Sequence, residues 1–320
     1  MPSPAIVAAA LERSFGDTLA VTGVDLEVAE GEIYGFLGPN GAGKSTTVRM
    51  LCTLLAPTGG RAVVAGHDVE REPGAVRLRI GDALQDAALD DQQTGRELLV
   101  LQARLFGLRR TEIDQRLREL TRLIDIGDAL ERRVKTYSGG MKRRLDLAIA
   151  LVHNPTVLFH DEPTTGLDPT SRARVWEEVE RLNRDLGMTI FLTTQYLEEA
   201  DALANRVAII DRGAIVAEGT PADLKRSMGS DVIVATVDGD ASTAMSSVEA
   251  VAGVEQVTVH GDELTIRVRA GDAAIGPVAV ALHGCGVPVR ALTLRTPTLD
   301  DVFLELTGGH LQATDEEVAE

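Results

Sequence analysis

Apolar and polar residues along the first two thirds of the chain follow two alternating patterns. Short apolar runs bounded by turn residues predict strands, and segments with apolar residues every three or four positions predict helices. The predicted strands cover residues 5–11, 19–28, 32–37, 61–65, 156–160, 188–193, 207–210 and 215–218. The predicted helices cover residues 138–153, 170–186 and 197–203, and a further helix begins near residue 43. This alternation predicts an α/β fold with a parallel sheet.

A segment with helical periodicity interrupts the alternation between residues 94 and 133. The apolar positions that fit one amphipathic helix are Leu98, Leu99, Leu101 and Leu105. Those that fit a second helix are Ile113, Leu117, Leu120, Leu123 and Ile124. Because both patterns have the spacing of one helix face, we expect a helical subdomain over about residues 86–153, inserted in an α/β domain of residues 1–226.

The pattern changes again after residue 226. Predicted strands at 232–237, 255–260, 263–268 and 287–294 alternate with predicted helices at 241–251 and 273–285. The order β-α-β-β-α-β is that of a split βαβ, or ferredoxin-like, domain. We therefore expect a small α+β domain over residues 227–308, with a last helix at 299–306, followed by an acidic tail at 309–320.

Charge and cysteine content restrict the binding partners and the cellular compartment that we expect for the protein. A formal net charge of −17 and a pI of about 4.8 argue against a protein that coats nucleic acid. Cys52 and Cys285 show neither a disulfide framework nor a metal-binding spacing, so a reducing cytosol is expected. The sequence predicts no signal peptide and no membrane-spanning helix. At a membrane, another chain would supply the span.

A glycine-rich loop joins one predicted strand to the helix that follows it. The loop reads Gly38-Pro39-Asn40-Gly41-Ala42-Gly43-Lys44-Ser45-Thr46, which fits the pattern G-x-x-x-x-G-K-[ST]. Glycines let backbone N–H groups approach an anion, and the positive end of the helix dipole points to the same place. We expect Lys44 to reach the β- and γ-phosphates of ATP, Ser45 to offer its hydroxyl to Mg²⁺, and Thr46 to support the phosphates.

Two carboxylates follow another apolar strand, in the run Leu158-Phe159-His160-Asp161-Glu162-Pro163. Alone, they would fit a solvated strand end. Beside a phosphate loop, however, a strand-end carboxylate is the usual Mg²⁺ ligand of P-loop NTPases. We expect Asp161 to hold the metal and Glu162 to polarise the attacking water as a general base. His160 is interpreted as a hydrogen-bonded core residue.

A third motif begins the predicted helix at Ser138, where residues 137–144 read YSGGMKRR. With the phosphate loop and the Asp161–Glu162 strand in this order, the chain resembles the nucleotide-binding subunits of ABC transporters over about residues 6–225. The resemblance implies a P-loop NTPase fold with a helical subdomain. It also implies that Ser138, Gly139 and Gly140 bind the γ-phosphate of ATP held by a second copy, and hence a homodimer.

The same resemblance implies roles for residues outside these three motifs. Phe15 matches the aromatic residue that stacks on adenine. Gln85 matches the glutamine that senses Mg²⁺ and signals to the permease. Asp168, together with Leu167, matches the loop that crosses the dimer interface in the family.

The chain departs from the family pattern at two positions. Met141 replaces the glutamine that usually ends the signature, and Gln195 replaces the histidine of the switch. Glutamine can donate an amide N–H to a γ-phosphate but cannot carry a positive charge or shuttle a proton. Slow hydrolysis is therefore one expectation for Gln195, although loss of activity does not follow.

Residues 137–141, 193–201 and 299–304 further resemble the daunorubicin-resistance branch of the family. This branch implies an ATPase subunit at the cytoplasmic face of the membrane. Its implied partner is a separate ABC-2-type permease, with no nucleic acid involved, and its implied cargo is a drug, an antibiotic or a lipid-like molecule. The transported substrate itself is not specified by this chain.

Three other functions are weighed against this one. A soluble ABC ATPase acting on DNA or ribosomes usually has two cassettes or a long coiled coil, whereas this chain has one cassette, no heptad run and an acidic balance. A binding-only regulatory cassette is suggested by Gln195. A P-loop kinase is disfavoured by the Ser138-Gly139-Gly140 element.

Overall fold

The computed structural model describes residues 4–83, 89–124, 127–229, 231–238 and 241–308. They fall into two units, of which the first ends at Pro221 and the second begins at Ala222. The strands are β1 (Pro4–Phe15), β2 (Thr18–Ala29), β3 (Ile33–Leu37), β4 (Gly59–Val64), β5 (His67–Asp68), β6 (Ile80–Ala83), β7 (Val157–Asp161), β8 (Thr189–Thr194), β9 (Arg206–Asp211), β10 (Ala214–Gly219), β11 (Asp231–Val237), β12 (Val254–His260), β13 (Glu263–Val268) and β14 (Val289–Arg295). The helices are α1 (Lys44–Leu51), α2 (Pro73–Arg77), α3 (Gly95–Leu105), α4 (Arg110–Leu123), α5 (Gly139–Leu151), α6 (Pro169–Leu186), α7 (Leu197–Leu203), α8 (Pro221–Ser227), α9 (Met245–Glu249), α10 (Gly271–Gly284) and α11 (Leu299–Thr307).

A six-stranded sheet with the order β10-β9-β3-β8-β7-β6 lies at the centre of the first unit. Every neighbouring pair from β9 to β6 is parallel, and only β10 pairs antiparallel with β9. A second sheet of this unit is antiparallel, with the order β2-β1-β4-β5. The predicted α/β class with a parallel sheet is confirmed.

Two hydrophobic cores cover the opposite faces of the parallel sheet. Val157 and Phe159 of β7 belong to the core that also contains α1 and the antiparallel sheet. Leu158, between them in sequence, belongs to the core built with α5, α6 and the helical insertion. This division follows from the strand geometry, because successive side chains point to opposite faces. Each functional group on β7 is therefore held between two packed layers.

The helical insertion consists of α3 and α4, followed by short 3₁₀ helices at Gly127–Glu131 and Val134–Thr136. The predicted apolar face of α3 is partly wrong, because Leu101 is 47% and Leu105 72% exposed. The buried positions are Leu99 and Ala103. At 100° per residue, Ala103 lies almost above Leu99, whereas Leu101 points to the other side of the helix.

The second unit contains a four-stranded antiparallel sheet with the order β12-β13-β11-β14. Helices α9 and α10 connect its strands, and the predicted β-α-β-β-α-β order is confirmed. The helix predicted at 241–251 is instead a 3₁₀ turn, Ala241–Ala244, followed by the short α9. The last strand begins at Val289 rather than at 287, because Pro288 has no N–H for a ladder bond.

No helix within the described ranges combines the length and apolar character that crossing a bilayer requires.

Candidate functional site

The three strands at the middle of the parallel sheet end at the same edge. β8 pairs with β3 on one side and with β7 on the other. Residues that follow the carboxyl ends of parallel strands meet at one crevice. The phosphate loop follows β3, Glu162 follows β7, and Gln195 follows β8.

These segments line one cavity of about 280 Å³. Its lining residues are Ala20, Pro39, Asn40, Gly41, Gly43, Lys44, Ser45, Thr46, Glu162, Thr165 and Gln195. The structure thus brings most of the predicted phosphate-loop residues together with the predicted base and the switch glutamine. Gly38 and Ala42 belong to the same loop but do not line the cavity.

The loop adopts backbone conformations that depend on glycine. Gly41 and Gly43 have φ values of 81° and 106°, a region that side chains with a Cβ rarely occupy. Gly43 is also the N-cap residue of α1. A Cβ on Gly43 would lie 2.7 Å from the main-chain oxygen of Ala20. Lys44, Ser45 and Thr46 of the first turn of α1 line the cavity. The first N–H groups of an α-helix have no partner within the helix, which makes them suitable donors for an anion.

Gly38 is crowded for a different reason, and its replacement gives a first prediction. A Cβ at this position would overlap the main-chain oxygen of Ile210 and lie 2.8 Å from its Cγ2. We expect Gly38→Ala to lower the free energy of unfolding by about 1–3 kcal/mol, as overpacking typically does. Thermal unfolding of the full chain measures this change.

The matched control is Gly74→Ala in α2, where a Cβ would have no neighbour within 4 Å. Alanine favours a helix over glycine, so this variant is expected to match or slightly exceed the stability of the natural protein. Equal unfolding temperatures for the two variants would contradict the crowding seen at Gly38.

Lys44 is buried at the centre of the site, with only 5% of its surface exposed. Its Nζ donates to the main-chain oxygens of Gly38, at 2.6 Å, and Pro39, at 3.2 Å, and lies 3.9 Å from Oε1 of Glu162. Burial lowers the pKa of Lys44, and the carboxylates of Glu162 and Asp161 oppose that shift. The ammonium therefore lies between carbonyl dipoles and two acids.

The acid pair is fixed by strand β8. The hydroxyl of Thr193 donates to Oδ1 of Asp161, which is 7% exposed. The N–H of Glu162 donates to the main-chain oxygen of Thr193 at 3.0 Å, and Oγ1 of Thr193 lies 3.1 Å from the same nitrogen. The hydroxyl of Thr165 donates to Oε2 of Glu162 at 3.2 Å. Both carboxylates thus have positions set by the neighbouring chain segments.

Glu162 has a φ of 46°, which is unusual for a residue other than glycine. Strained backbone of this kind persists where surrounding contacts determine it, and it is concentrated at functional sites. Here the contacts are those of Thr193 to the peptide nitrogen and of Thr165 to the side chain. Glu162 lines the same cavity as the phosphate loop.

A second cavity of about 470 Å³ lies between the starts of α5 and α6. The predicted signature residues Ser138, Gly139 and Gly140 line it, together with Asp168. Ser138 caps α5 by accepting from the N–H of Met141. Asp168 caps α6 by accepting from the N–H of Ser171 at 3.0 Å. The hydrogen bonds from Ser171 lower the pKa of Asp168.

The residue predicted to stack on adenine lies apart from these cavities. Phe15 is 49% exposed and lines neither of them, and the guanidinium of Arg13 lies 4.6 Å from its ring centroid. Gln85 lies outside the described residues.

A group of buried polar side chains lies on the face of the sheet away from the phosphate loop. Burial lowers the pKa of His160 to about 3, so its imidazole is neutral, and its ring nitrogens have no hydrogen-bond partner within the described chain. The expected hydrogen-bonded histidine is therefore buried but not bonded there. Burial raises the pKa of Asp146 to about 7. Trp176 donates its indole N–H to Glu199 at 3.0 Å.

Sequence reasoning missed several residues that shape the site. Thr165 and Thr193 hold Glu162 and Asp161, yet sequence reasoning gave neither a role, and Thr193 was noted only as part of the predicted strand 188–193 and of the stretch 193–201. Their positions in the sequence could have indicated these contacts. Thr165 follows the acid pair by a few residues, and Thr193 lies near the end of β8. Ala20, whose carbonyl approaches Gly43, comes from the antiparallel sheet.

Comparison with known proteins agrees with this geometry. A family model for ABC transporters matches residues 21–165, and a model for the C-terminal domain of DrrA1-3-like ATP-binding proteins matches residues 219–307. The daunorubicin/doxorubicin resistance ATP-binding protein DrrA of Streptomyces peucetius is 47% identical over 310 residues, covering 96% of this chain and 93% of that protein.

Proteins of lower sequence identity also match this chain. The linearmycin resistance ATP-binding protein LnrL of Bacillus subtilis strain 168 is 34% identical over 305 residues, or 94% of this chain and 98% of that protein. Among solved structures, cbiO1 from Clostridium perfringens, part of the ABC transporter complex cbiONQ, matches with a TM-score of 0.65 and 26% identity. That match covers 69% of this chain and 90% of cbiO1.

The fold, the geometry of the site and the similar proteins all indicate one class of protein, the ATP-binding proteins of ABC transporters. Members of this class are ATPases. The similarity to DrrA extends over nearly the whole length of both proteins. The chain therefore belongs to the daunorubicin/doxorubicin resistance family of ABC ATP-binding proteins.

Proposed function

We propose that this protein hydrolyses ATP to power export through a separate membrane permease. The observation that carries the proposal is the single cavity where the phosphate loop, Glu162 and Gln195 meet. In this proposal the loop N–H groups and Lys44 hold the phosphates, and Glu162 accepts a proton from the attacking water. Gln195 donates its amide N–H to the γ-phosphate.

Mg²⁺ fits the oxygen donors that the site provides. Ser45 lines the cavity with a hydroxyl, and Asp161 ends β7 with a buried carboxylate. Mg²⁺ prefers such hard oxygen ligands and is usually bound by one or two carboxylates together with substrate phosphates. The ion would neutralise charge that develops on the phosphates. We place Ser45 and Asp161 as its protein ligands, with Gln85 as the predicted third group.

Within the part of the chain that the structure describes, the signature residues do not line the cavity of the phosphate loop. Ser138, Gly139 and Gly140 line a different cavity from the phosphate loop of the same chain. Ser138 and Gly139 are exposed, and the start of α5 has the N–H groups that suit an anion. These features support a homodimer in which the α5 start of each copy completes the ATP site of the other. Asp168 would then lie at the interface.

The cargo and partner are proposed from the relatives. DrrA of S. peucetius is named for daunorubicin and doxorubicin resistance, and LnrL for linearmycin resistance. We propose that this chain acts at the cytoplasmic face of the membrane with an ABC-2-type permease and exports a drug, an antibiotic or a lipid-like molecule. Residues 1–226 would form the ATPase domain and residues 227–308 an accessory domain. Phe15 is proposed to stack on adenine.

The test is ATP turnover by the purified full-length chain, alone and with its co-purified membrane partner. We expect phosphate release that requires Mg²⁺ and increases when the permease is present. Co-purification with nucleic acid instead of a membrane protein would favour a soluble ABC ATPase. Absence of turnover in both conditions would contradict the proposal and favour a cassette that only binds ATP.

Gln195 gives a second prediction for the site. Because glutamine and histidine can both donate an N–H to a γ-phosphate, we expect Gln195→His to keep ATP turnover within about fivefold of the natural protein. The measurement is steady-state phosphate release. Turnover lost altogether would show that the site is built around the amide. An unchanged rate in Gln195→Ala would show that this position makes no contact with the phosphate.

A further inference from the structure

Arg143 connects α5, the helix that begins at the signature residues, to β7, the strand that ends at Asp161, in the same chain. It lies one turn into α5, counted from the cap residue Ser138. Its Nη2 donates to the main-chain oxygen of Asp161 at 2.9 Å. That oxygen belongs to the peptide bond between Asp161 and Glu162, the two proposed catalytic carboxylates.

This peptide bond is held at both ends. Its carbonyl accepts from Arg143 of α5, and its N–H donates to the main-chain oxygen of Thr193 of β8 at 3.0 Å. A planar peptide unit has no internal rotation, so two opposed hydrogen bonds fix its orientation. Glu162, which has a strained φ of 46°, follows directly after this peptide unit, so the orientation of the unit sets where the Glu162 backbone begins. Loss of the Arg143 contact would free one end of the unit.

Arg143 is a partly buried cation surrounded by carboxylates. Burial lowers its pKa, and four carboxylates oppose that shift, those of Asp146, Asp161, Glu199 and Glu162. Of these, Asp146 lies on α5, Asp161 and Glu162 lie at the end of β7, and Glu199 lies on α7. A guanidinium suits this position because its planar fork has several donors and keeps its charge when buried.

The two basic neighbours of Arg143 point elsewhere. Lys142 pairs with Asp91 at 2.7 Å on the surface of the helical insertion. Arg144 pairs with Glu178 of α6 at 3.2 Å. Among these three consecutive residues, the hydrogen bond to β7 is made by Arg143. Lys142, whose ammonium pairs with Asp91 on the helical insertion, therefore provides a control.

We infer that Arg143 is a positioning residue that couples the two ATP sites of the dimer. When the nucleotide of one copy engages Ser138 of the other, the resulting position of α5 is transmitted through Arg143 to the Asp161–Glu162 peptide. Each copy thus aligns its own base in response to the nucleotide of its neighbour. This inference rests on the proposed homodimeric ATPase function and adds a path of regulation to it.

The test compares Arg143→Met, Arg143→Lys and the control Lys142→Gln in the full chain. Methionine keeps much of the apolar stem but has no donor. We expect Arg143→Met to lower the maximal ATP turnover by about 10- to 100-fold, the range that loss of one charged hydrogen bond corresponds to. The KM for ATP should change by less than about threefold. Arg143→Lys should retain an intermediate rate, and Lys142→Gln the natural rate.

Two further readouts separate positioning from a merely structural role. The dependence of turnover on ATP concentration should be cooperative in the natural protein and lose its cooperativity in Arg143→Met. Binding of ATP and the unfolding temperature should stay close to those of Lys142→Gln. Parallel losses of ATP affinity, unfolding temperature and rate, without rescue by lysine, would overturn the inference in favour of a structural role.

The inference and the proposed function fail in different ways. Natural protein that hydrolyses ATP while Arg143→Met matches Lys142→Gln would overturn the coupling role alone. Natural protein that binds ATP but releases no phosphate, with or without its membrane partner, would contradict the proposed function and this inference with it.

Discussion

Glu162→Gln is expected to bind ATP and form the closed dimer but to hydrolyse ATP at least about 100-fold more slowly than the natural protein. The amide keeps the size of the side chain and can still accept from Thr165, yet it cannot accept a proton from water at neutral pH. General bases typically contribute 10²–10⁴-fold to a rate. Phosphate release measures the rate, and size-exclusion chromatography with ATP measures the dimer.

The matched control for this variant is Glu198→Gln. Glu198 is an exposed acid at the start of α7, which follows the same sheet edge. We expect its replacement to leave turnover and dimer formation unchanged. A Glu162→Gln protein with the natural rate would exclude Glu162 as the base. A variant that has lost ATP binding would show that the acid is needed to form the pocket.

Lys44→Ala is expected to weaken ATP binding by at least about tenfold and to abolish measurable turnover. The variant removes the only cation that lines the cavity within the described residues, and charge-assisted contacts to phosphate are the strong ones. It also leaves Glu162 without the ammonium 3.9 Å away. Fluorescent-nucleotide titration and phosphate release measure the two effects. Arg49→Ala, on the exposed side of α1, is the control and should behave as the natural protein.

Mixing Lys44→Ala with Ser138→Arg tests whether the ATP sites are shared between copies. Each variant alone is expected to be inactive. A mixed dimer would contain one intact site, built from the phosphate loop of the Ser138→Arg chain and the helix start of the Lys44→Ala chain. With random pairing, independent sites would recover about a quarter of the natural rate. The coupling inferred through Arg143 predicts a lower recovery, because the chain that supplies the phosphate loop and Glu162 carries the altered Ser138. Failure of ATP to promote mixed dimers of the two variants would exclude the shared site.

The position of the cavity lined by the phosphate loop could be predicted from the sequence because the loop, Glu162 and Gln195 each follow an apolar strand. Parallel strands bring their carboxyl ends to one edge, so the loop after β3 and the acids after β7 had to meet. The element types were also predictable where periodicity is strong, as in α4 and β8. In contrast, α3 was assigned too wide an apolar face, because Leu101 and Leu105 are solvent-facing leucines that composition does not distinguish from core ones.

The contacts that hold the site could not be predicted in the same way. Thr193 bonds Asp161 and Glu162 only because β8 pairs with β7, a neighbour relation that becomes visible once the sheet order is known. Arg143 reads as one of three consecutive basic residues on a helix, and the sequence gives no reason to separate it from Lys142 or Arg144. Tertiary geometry alone assigns it to the Asp161 carbonyl.

The contact of Trp176 with Glu199 has a practical consequence. The chain contains one tryptophan and three tyrosines, so fluorescence excited selectively at tryptophan reports a single location, where Trp176 of α6 contacts Glu199 of α7. α6 begins at the proposed interface residue Asp168, and α7 begins just after Gln195. The emission spectrum of the unlabelled protein can therefore follow events at the interface and at the switch position with one native probe.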